Sequence, residues 1–128
     1  MSYYFSKMLD APFDDAVIKV KAALAHEGFG VISEIDIRQT LKTKIGVEFR
    51  PYLILGACNP ALAHEALLLE DKVGLMLPCN VIVQEADDGM VGVAAIDPTA
   101  SMQAIDNEAL KAQAAVVGEK LQAALARL

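Results

Sequence analysis

The chain has few of the residues and patterns that usually reveal a function. Its two cysteines, Cys58 and Cys79, are too few for a disulfide scaffold. No apolar run approaches the ~18–20 residues that cross a bilayer, and the first residues lack the charged and then apolar pattern of a secretion signal. These absences predict a cytoplasmic protein with reduced thiols and no membrane partner.

Clusters of basic residues are absent as well. The 11 Lys and Arg residues are outnumbered by 17 Asp and Glu residues, which gives a net charge of -6. Binding to a phosphate backbone needs clustered positive charge, so we expect no nucleic-acid partner. The densest basic stretch, from Arg38 to Arg50, is more typical of a solvated surface.

Known catalytic signatures are missing too. The sequence contains no Gly-rich phosphate loop, no Gly-x-Ser-x-Gly elbow and no His-Glu-x-x-His motif. No catalytic set is complete, which argues against an enzyme without excluding one, and no cofactor is indicated.

Aliphatic side chains, by contrast, are abundant. Hydrophobic residues make up 55% of the chain and aromatic residues only 5%, with a mean hydropathy of +0.38. We expect a core of Ala, Val, Ile and Leu in a single domain spanning residues 1–128, because that length suits one core. The excess of aliphatic side chains indicates a subunit interface, which the sequence does not locate.

Helical and alternating apolar patterns follow one another along the chain. Helix-start residues and apolar spacings of three and four predict helices from Asp10 to Gly28, from Ala61 to Glu70 and from Asp106 to the C-terminus. Alternating or β-branched runs predict strands, at residues 2–9, 30–37, 52–58, 80–86 and 90–96. The loop between the last two strands predicts a hairpin.

Two segments are less regular: residues 38–45 suit a short helix or turn, and residues 74–78 suit at best a short edge segment, because they end in a proline. Within strand 30–37, alternation predicts Val31 and Ser33 on one face and Glu34 and Asp36 on the other. The whole order, β-α-β-β-(α)-β-β-α, predicts an α+β fold with a mostly antiparallel sheet and helices packed on one face.

One dipeptide, Cys-Asn, occurs twice, as Cys58-Asn59 and Cys79-Asn80. Each copy lies at a predicted end of an element, an arrangement that can bring two thiols and two amides to one place. We therefore take these four residues, together with Glu34 on the predicted strand 30–37, as candidate ligand-binding residues.

The thiols have a chemical and a structural interpretation. If Asn59 caps the helix that starts at Pro60, Cys58 lies beside free amides that favour a thiolate. Cys58 is then a candidate nucleophile or redox thiol with Cys79 as its resolving partner. Buried cysteines that serve only in packing are the more common case.

A metal site is a third interpretation, with Cys58, His64 and Cys79 as ligands and Glu34 or Asp36 as a fourth. No close pair such as Cys-x-x-Cys supports it. Alternating acidic residues on a strand are first of all its solvent side.

Four motifs together resemble the family catalogued as domain of unknown function 302, over nearly the whole chain: Gly28-Phe29-Gly30, Glu34-Ile35-Asp36, the 56–60 run Gly-Ala-Cys-Asn-Pro and the 77–81 run Leu-Pro-Cys-Asn-Val. The resemblance implies a strand–helix–four-strand–helix fold similar to one half of the TATA-binding protein, without implying DNA binding, and it implies a homodimer. It implies no known activity.

Taken together, the sequence predicts a non-enzymatic module that binds a small ligand or a partner segment at its Cys-Asn corner. The alternatives are a thiol-dependent redox or sulfur-transfer protein that uses Cys58 and Cys79, and a Cys/His metal-binding protein.

Overall fold

The computed structural model describes residues 2–128 as a five-stranded antiparallel sheet with helices. The strands are β1 (Tyr4–Leu9), β2 (Gly30–Asp36), β3 (Tyr52–Cys58), β4 (Cys79–Glu85) and β5 (Val91–Ile96). They lie in the order β1-β5-β4-β3-β2, so β4 is the middle strand and β1 and β2 are the edges. The predicted α+β class and antiparallel sheet are confirmed, while the likeness to half of the TATA-binding protein stays a prediction.

Five α-helices and one 3-10 helix connect or follow the strands. They are α1 (Phe13–His26), α2 (Ile37–Ile45), α3 (Pro60–Leu69), α4 (Pro98–Ser101), α5 (Glu108–Ala126) and the 3-10 helix Asp71–Met76. No helix within residues 2–128 is both long and apolar enough to cross a bilayer.

Two helix starts follow directly from capping chemistry. The N–H of Leu62 donates to the Asn59 side chain at 3.4 Å, and Pro60 occupies the first helical position of α3. The N–H of Leu110 likewise donates to the Asn107 side chain at 3.0 Å at the start of α5. Both predicted starts are confirmed.

The start of α1 differs from the prediction. Pro12, rather than Asp10, occupies the cap position, and no side chain caps the helix. The fixed φ of proline suits this position, and the N–H of Ala16 donates to the Pro12 carbonyl at 2.9 Å. The predicted end is correct, since Gly28 adopts the left-handed conformation with φ +86° just beyond the helix.

A β-bulge changes the predicted faces of β2. Val31 lies opposite Ala57 and Ser33 lies opposite the adjacent Gly56, so Ile32 is an extra residue in the ladder. The prediction that Val31 and Ser33 share a face is therefore wrong. Beyond the bulge, Glu34 shares the face of Val31.

Residues 71–76 form the 3-10 helix rather than the predicted edge segment, which covered residues 74–78. The N–H of Val73 donates to the Glu70 carbonyl at 3.1 Å, and that of Leu77 donates to the Gly74 carbonyl at 3.2 Å. This turn buries Val73 completely, which an edge strand would not do. The following Leu77-Pro78 peptide bond is cis.

Two hydrophobic clusters hold the helices in place. The larger packs α1 and α5 on one face of the sheet, with members such as Val20, Leu24, Leu55, Val83 and Leu121. The smaller joins α3, the 3-10 helix and the first half of α5, with Ala66, Val73, Met102, Leu110 and Ala114. Each fully buried Val or Leu side chain in these clusters contributes about 1.5–3 kcal/mol.

The other face of the sheet, which we call the open face, points away from α1 and α5. Strand alternation defines it: Val81 and Val83 are buried under the helices, whereas Ile82 between them pairs with Ile54 and Ala94 on the opposite side. Asn80 precedes Val81 and so also lies on the open face.

Candidate functional site

The first part of the candidate site is the corner between β3 and α3. β3 ends at Cys58, Asn59 caps α3, and Pro60 begins it. Cys58 therefore lies immediately before the cap, where the sequence places it, and it is half-buried.

The second thiol lies next to this corner. Cys79 begins β4 directly opposite Ala57, the neighbour of Cys58, and both cysteines are free. Cys79 is only 7% exposed. Burial, and to a lesser extent the charge of Cys58, raises the pKa of the Cys79 thiol from 9.0 to about 11.

Both thiols line one cavity of about 320 Å³, situated where the two hydrophobic clusters meet. Its walls come from the corner, α3 and α5, among them Cys58, Cys79, Leu62, Ala66, Ala114 and Val117. The polar side chains in the lining are those of Asn59 and Gln113. Gln113 donates to the Leu62 carbonyl at 2.6 Å, so its amide is already engaged.

Two glycines allow the segments of this corner to approach each other. A Cβ atom on Gly28 would lie 2.9 Å from Asn59 Nδ2. A Cβ atom on Gly56 would lie 2.1 Å from Ser33 Oγ and 2.8 Å from Pro78 Cγ. The strand and loop segments that carry the sequence motifs thus meet at one end of the sheet.

The sequence profile described as domain of unknown function DUF302 matches residues 5–128. The chain belongs to the DUF302 family. It is also similar to a crystal structure of an uncharacterized conserved protein DUF302 from Bacillus stearothermophilus, with a TM-score of 0.92 and 28% sequence identity. That alignment covers 99% of this chain and 98% of the other. Nothing among the curated proteins matches.

Not every candidate residue of this DUF302 chain lies at the cavity. Cys58, Asn59 and Cys79 lie there together, whereas Asn80 is exposed on the open face because it alternates with Cys79. The structure therefore brings Asn59, and not Asn80, to the cavity that both thiols line.

The acidic candidates lie on β2 and make local interactions. The Glu34 carboxylate accepts a 2.8 Å hydrogen bond from the ammonium group of Lys21 on α1. The Asp36 carboxylate accepts from the N–H of Gln39 and caps α2. Neither residue lines the cavity of this DUF302 protein.

The metal interpretation depends on a third ligand beside the two thiols. His64 is exposed on α3. Within residues 2–128, no group of three or more His, Cys, Asp and Glu side chains is arranged to hold a metal ion.

Several cavity residues were not predicted from the sequence, notably Phe29, Met102, Ala114 and Val117. They lie in separate segments of the DUF302 chain, and only the tertiary fold assembles them. The sequence contained local features that could have pointed to three of them: Phe29 lies inside a motif, and Ala114 and Val117 belong to the apolar stripe of α5.

Proposed function

We propose that this protein binds a small, uncharged and mainly apolar molecule in the cavity beside Cys58 and Cys79. The observation that carries the proposal is the cavity itself, whose volume of about 320 Å³ is lined by side chains that are nearly all apolar. Ligand pockets typically hold ~300–1,000 Å³ and combine apolar walls with a few polar groups. Here those polar groups are the thiols and the Asn59 amide.

The lining also restricts the class of ligand. No Asp, Glu, Lys or Arg side chain lines the cavity, so a charged ligand would lose its hydration without gaining a partner. A dry apolar cavity of ~150 Å³ accommodates benzene. A volume about twice as large suits a fused two-ring aromatic molecule or a short branched hydrocarbon.

The state of Cys79 argues against its role as the resolving thiol of a redox pair. Because burial raises its pKa to about 11, Cys79 stays protonated at neutral pH and is a poor nucleophile. In this proposal both cysteines serve as small, polarisable wall residues.

Titration with 1-aminonaphthalene, a two-ring fluorophore that is uncharged at neutral pH, tests the proposal. We expect saturable binding of one probe per chain. Ala63, half-buried in the lining on α3, provides the blocking variant: Ala63→Phe fills the cavity and should weaken binding at least about tenfold. Ala61→Phe on the same helix is the matched control, because Ala61 is exposed and outside the lining.

Equal affinity of the two Phe variants would place the probe elsewhere and overturn the proposal. Cys58→Ser separates binding from thiol chemistry, since it removes the thiol and keeps the size of the side chain. We expect binding to remain largely intact. Complete loss in this variant would instead favour a redox or sulfur-transfer role for the two cysteines.

A further inference from the structure

The charged residues of the sheet are distributed unusually between its two faces. The five strands contain four of them, Lys7, Glu34, Asp36 and Glu85. The register pairs each with a residue of the helix-covered face, for example Lys7 with Val93 and Glu85 with Val91. Antiparallel sheets with one solvated face normally place polar and charged residues on that face. In this sheet the arrangement is reversed.

No strand residue on the open face is charged, although 22% of the chain is charged. The guanidinium of Arg50, which precedes β3, lies at the edge of this face and donates to the Gln84 side chain at 3.5 Å. The open face consists of aliphatic, small, aromatic and neutral polar residues, among them Tyr4, Ser6, Ile35, Ile54, Ile82 and Gln84. Large apolar members are exposed, with Met8 at 51% and Ile35 at 46%. Depletion of charge together with exposed apolar and aromatic residues is the composition of an interface core.

The dimensions of the open face suit another protein surface of the same size. Five strands about 4.8 Å apart, each contributing residues over about 20 Å, give a flat area of about 500 Å². Side-chain relief and the rim increase the accessible area towards the ~800 Å² per partner that stable interfaces bury.

We propose that two copies of this chain pack open face to open face around a two-fold axis near Ile82. This residue lies at the middle of β4, the middle strand of the sheet. In a two-fold interface the same patch serves both partners, so a charge close to the axis would meet its own copy. Each chain carries a net charge of -6, and the open face is the part of the sheet where two copies approach without direct like-charge contact. This inference is independent of the ligand proposed for the cavity.

The molar mass in solution, measured by sedimentation equilibrium and light scattering, tests the interface. The wild-type protein should have twice the chain mass of 13.7 kDa at micromolar concentration. Ile82→Asp places a carboxylate at the centre of both faces and should reduce the mass to that of one chain. Ile18→Asp is the matched control, because Ile18 is 66% exposed on α1 and should leave the mass doubled.

A milder variant keeps the test decisive if Ile82→Asp does not fold. Ser6→Glu changes an exposed residue of the edge strand β1 on the same face, and should weaken the dimer at least about tenfold. Circular dichroism shows whether each variant retains its fold. A monomeric wild-type protein overturns the proposal, and so does a dimer that Ile18→Asp dissociates while Ser6→Glu leaves it intact.

Discussion

Cys79 has a titration behaviour that links its burial to stability. The ordinary pKa of 9.0 applies in the unfolded chain, whereas the folded protein raises it to about 11. Between these values the unfolded chain has released the proton and the folded chain retains it, so increasing pH favours unfolding. Below pH 9 the thiol is protonated in both states, and the stability it contributes is fully present. That stability is lost as the pH rises from 9 through 11. We expect the free energy of unfolding to fall by about 2–3 kcal/mol over this range.

Urea denaturation at pH 8, 9, 10 and 11 measures this loss, with Cys79→Ala as the comparison. Tyrosine and lysine titrate in both proteins, so the difference between the two curves isolates the thiol. Cys58→Ala is the matched control and should leave most of the pH dependence in place, because desolvation of Cys79 is the larger cause of its shift. Parallel curves for the wild type and Cys79→Ala would contradict the prediction.

The position of Asn59 was predictable from local sequence, whereas the position of Asn80 was not. Asn59 was predictable as a helix cap, because a cap depends on a residue and the three that follow it. The separation of Asn80 from the cavity follows equally from strand alternation, once β4 is known to begin at Cys79. The sequence predicted that this strand begins at Asn80, one residue later than in the structure, so the alternation of Cys79 and Asn80 was not part of the prediction.

The junction of β2, β3 and Pro78 depends on the absence of a side chain at Gly56. Gly56→Ala would put a Cβ atom 2.1 Å from Ser33 Oγ and 2.8 Å from Pro78 Cγ, so the strands must separate or the proline must move. We expect a loss of at least about 2 kcal/mol in the free energy of unfolding, the cost of overpacking a well-packed site. Chemical denaturation measures it.

Gly30→Ala on the neighbouring strand is the matched control. A Cβ atom there meets nothing within 4 Å, so the change should stay within about 0.5 kcal/mol. Adding Ser33→Ala to Gly56→Ala should recover part of the loss, because it removes the nearer clash and leaves the one with Pro78. Identical stabilities of Gly56→Ala and Gly30→Ala would show that the junction is loosely packed.

At the level of elements, local sequence was sufficient to predict helix starts and turns that depend on one or two residue types. Asn59-Pro60 and Asn107 start helices, and the hairpin at 87–89 joins β4 and β5. The bulge at Ile32 and the 3-10 helix were not predictable in this way. Both depend on partners distant in sequence, namely the register with β3 and the burial of Val73 in the smaller cluster.

At the scale of the whole molecule, the cavity and the open face are products of tertiary structure. The cavity exists because two hydrophobic clusters meet without filling the space between them, and its walls come from the corner, α3 and α5. The aliphatic excess indicated that some apolar surface would be shared, yet only the pairing of five strands collects it on one face. The composition therefore predicted that an interface exists, and the strand order determines where the proposed interface lies.

The net charge of the molecule predicts how salt affects the proposed dimer. Two chains of charge -6 repel each other over distances that low salt leaves unscreened, since the Debye length falls from ~30 Å at 0.01 M to ~10 Å at 0.1 M. The strand residues of the open face carry no charges, so added salt has no ion pairs between them to screen. Raising NaCl should therefore tighten the dimer at pH 7, with a dissociation constant lower by several-fold between about 20 and 300 mM.

Sedimentation equilibrium over this salt range measures the dissociation constant. The same series near pH 4.8, the isoelectric point of the sequence, is the control, because net repulsion vanishes there and the salt dependence should vanish with it. A dimer that weakens with added salt at pH 7 would require ion pairs across the interface. The strand residues of the open face cannot supply such pairs, so that result would assign the contact to a surface that carries charges of both signs and would contradict the proposed interface.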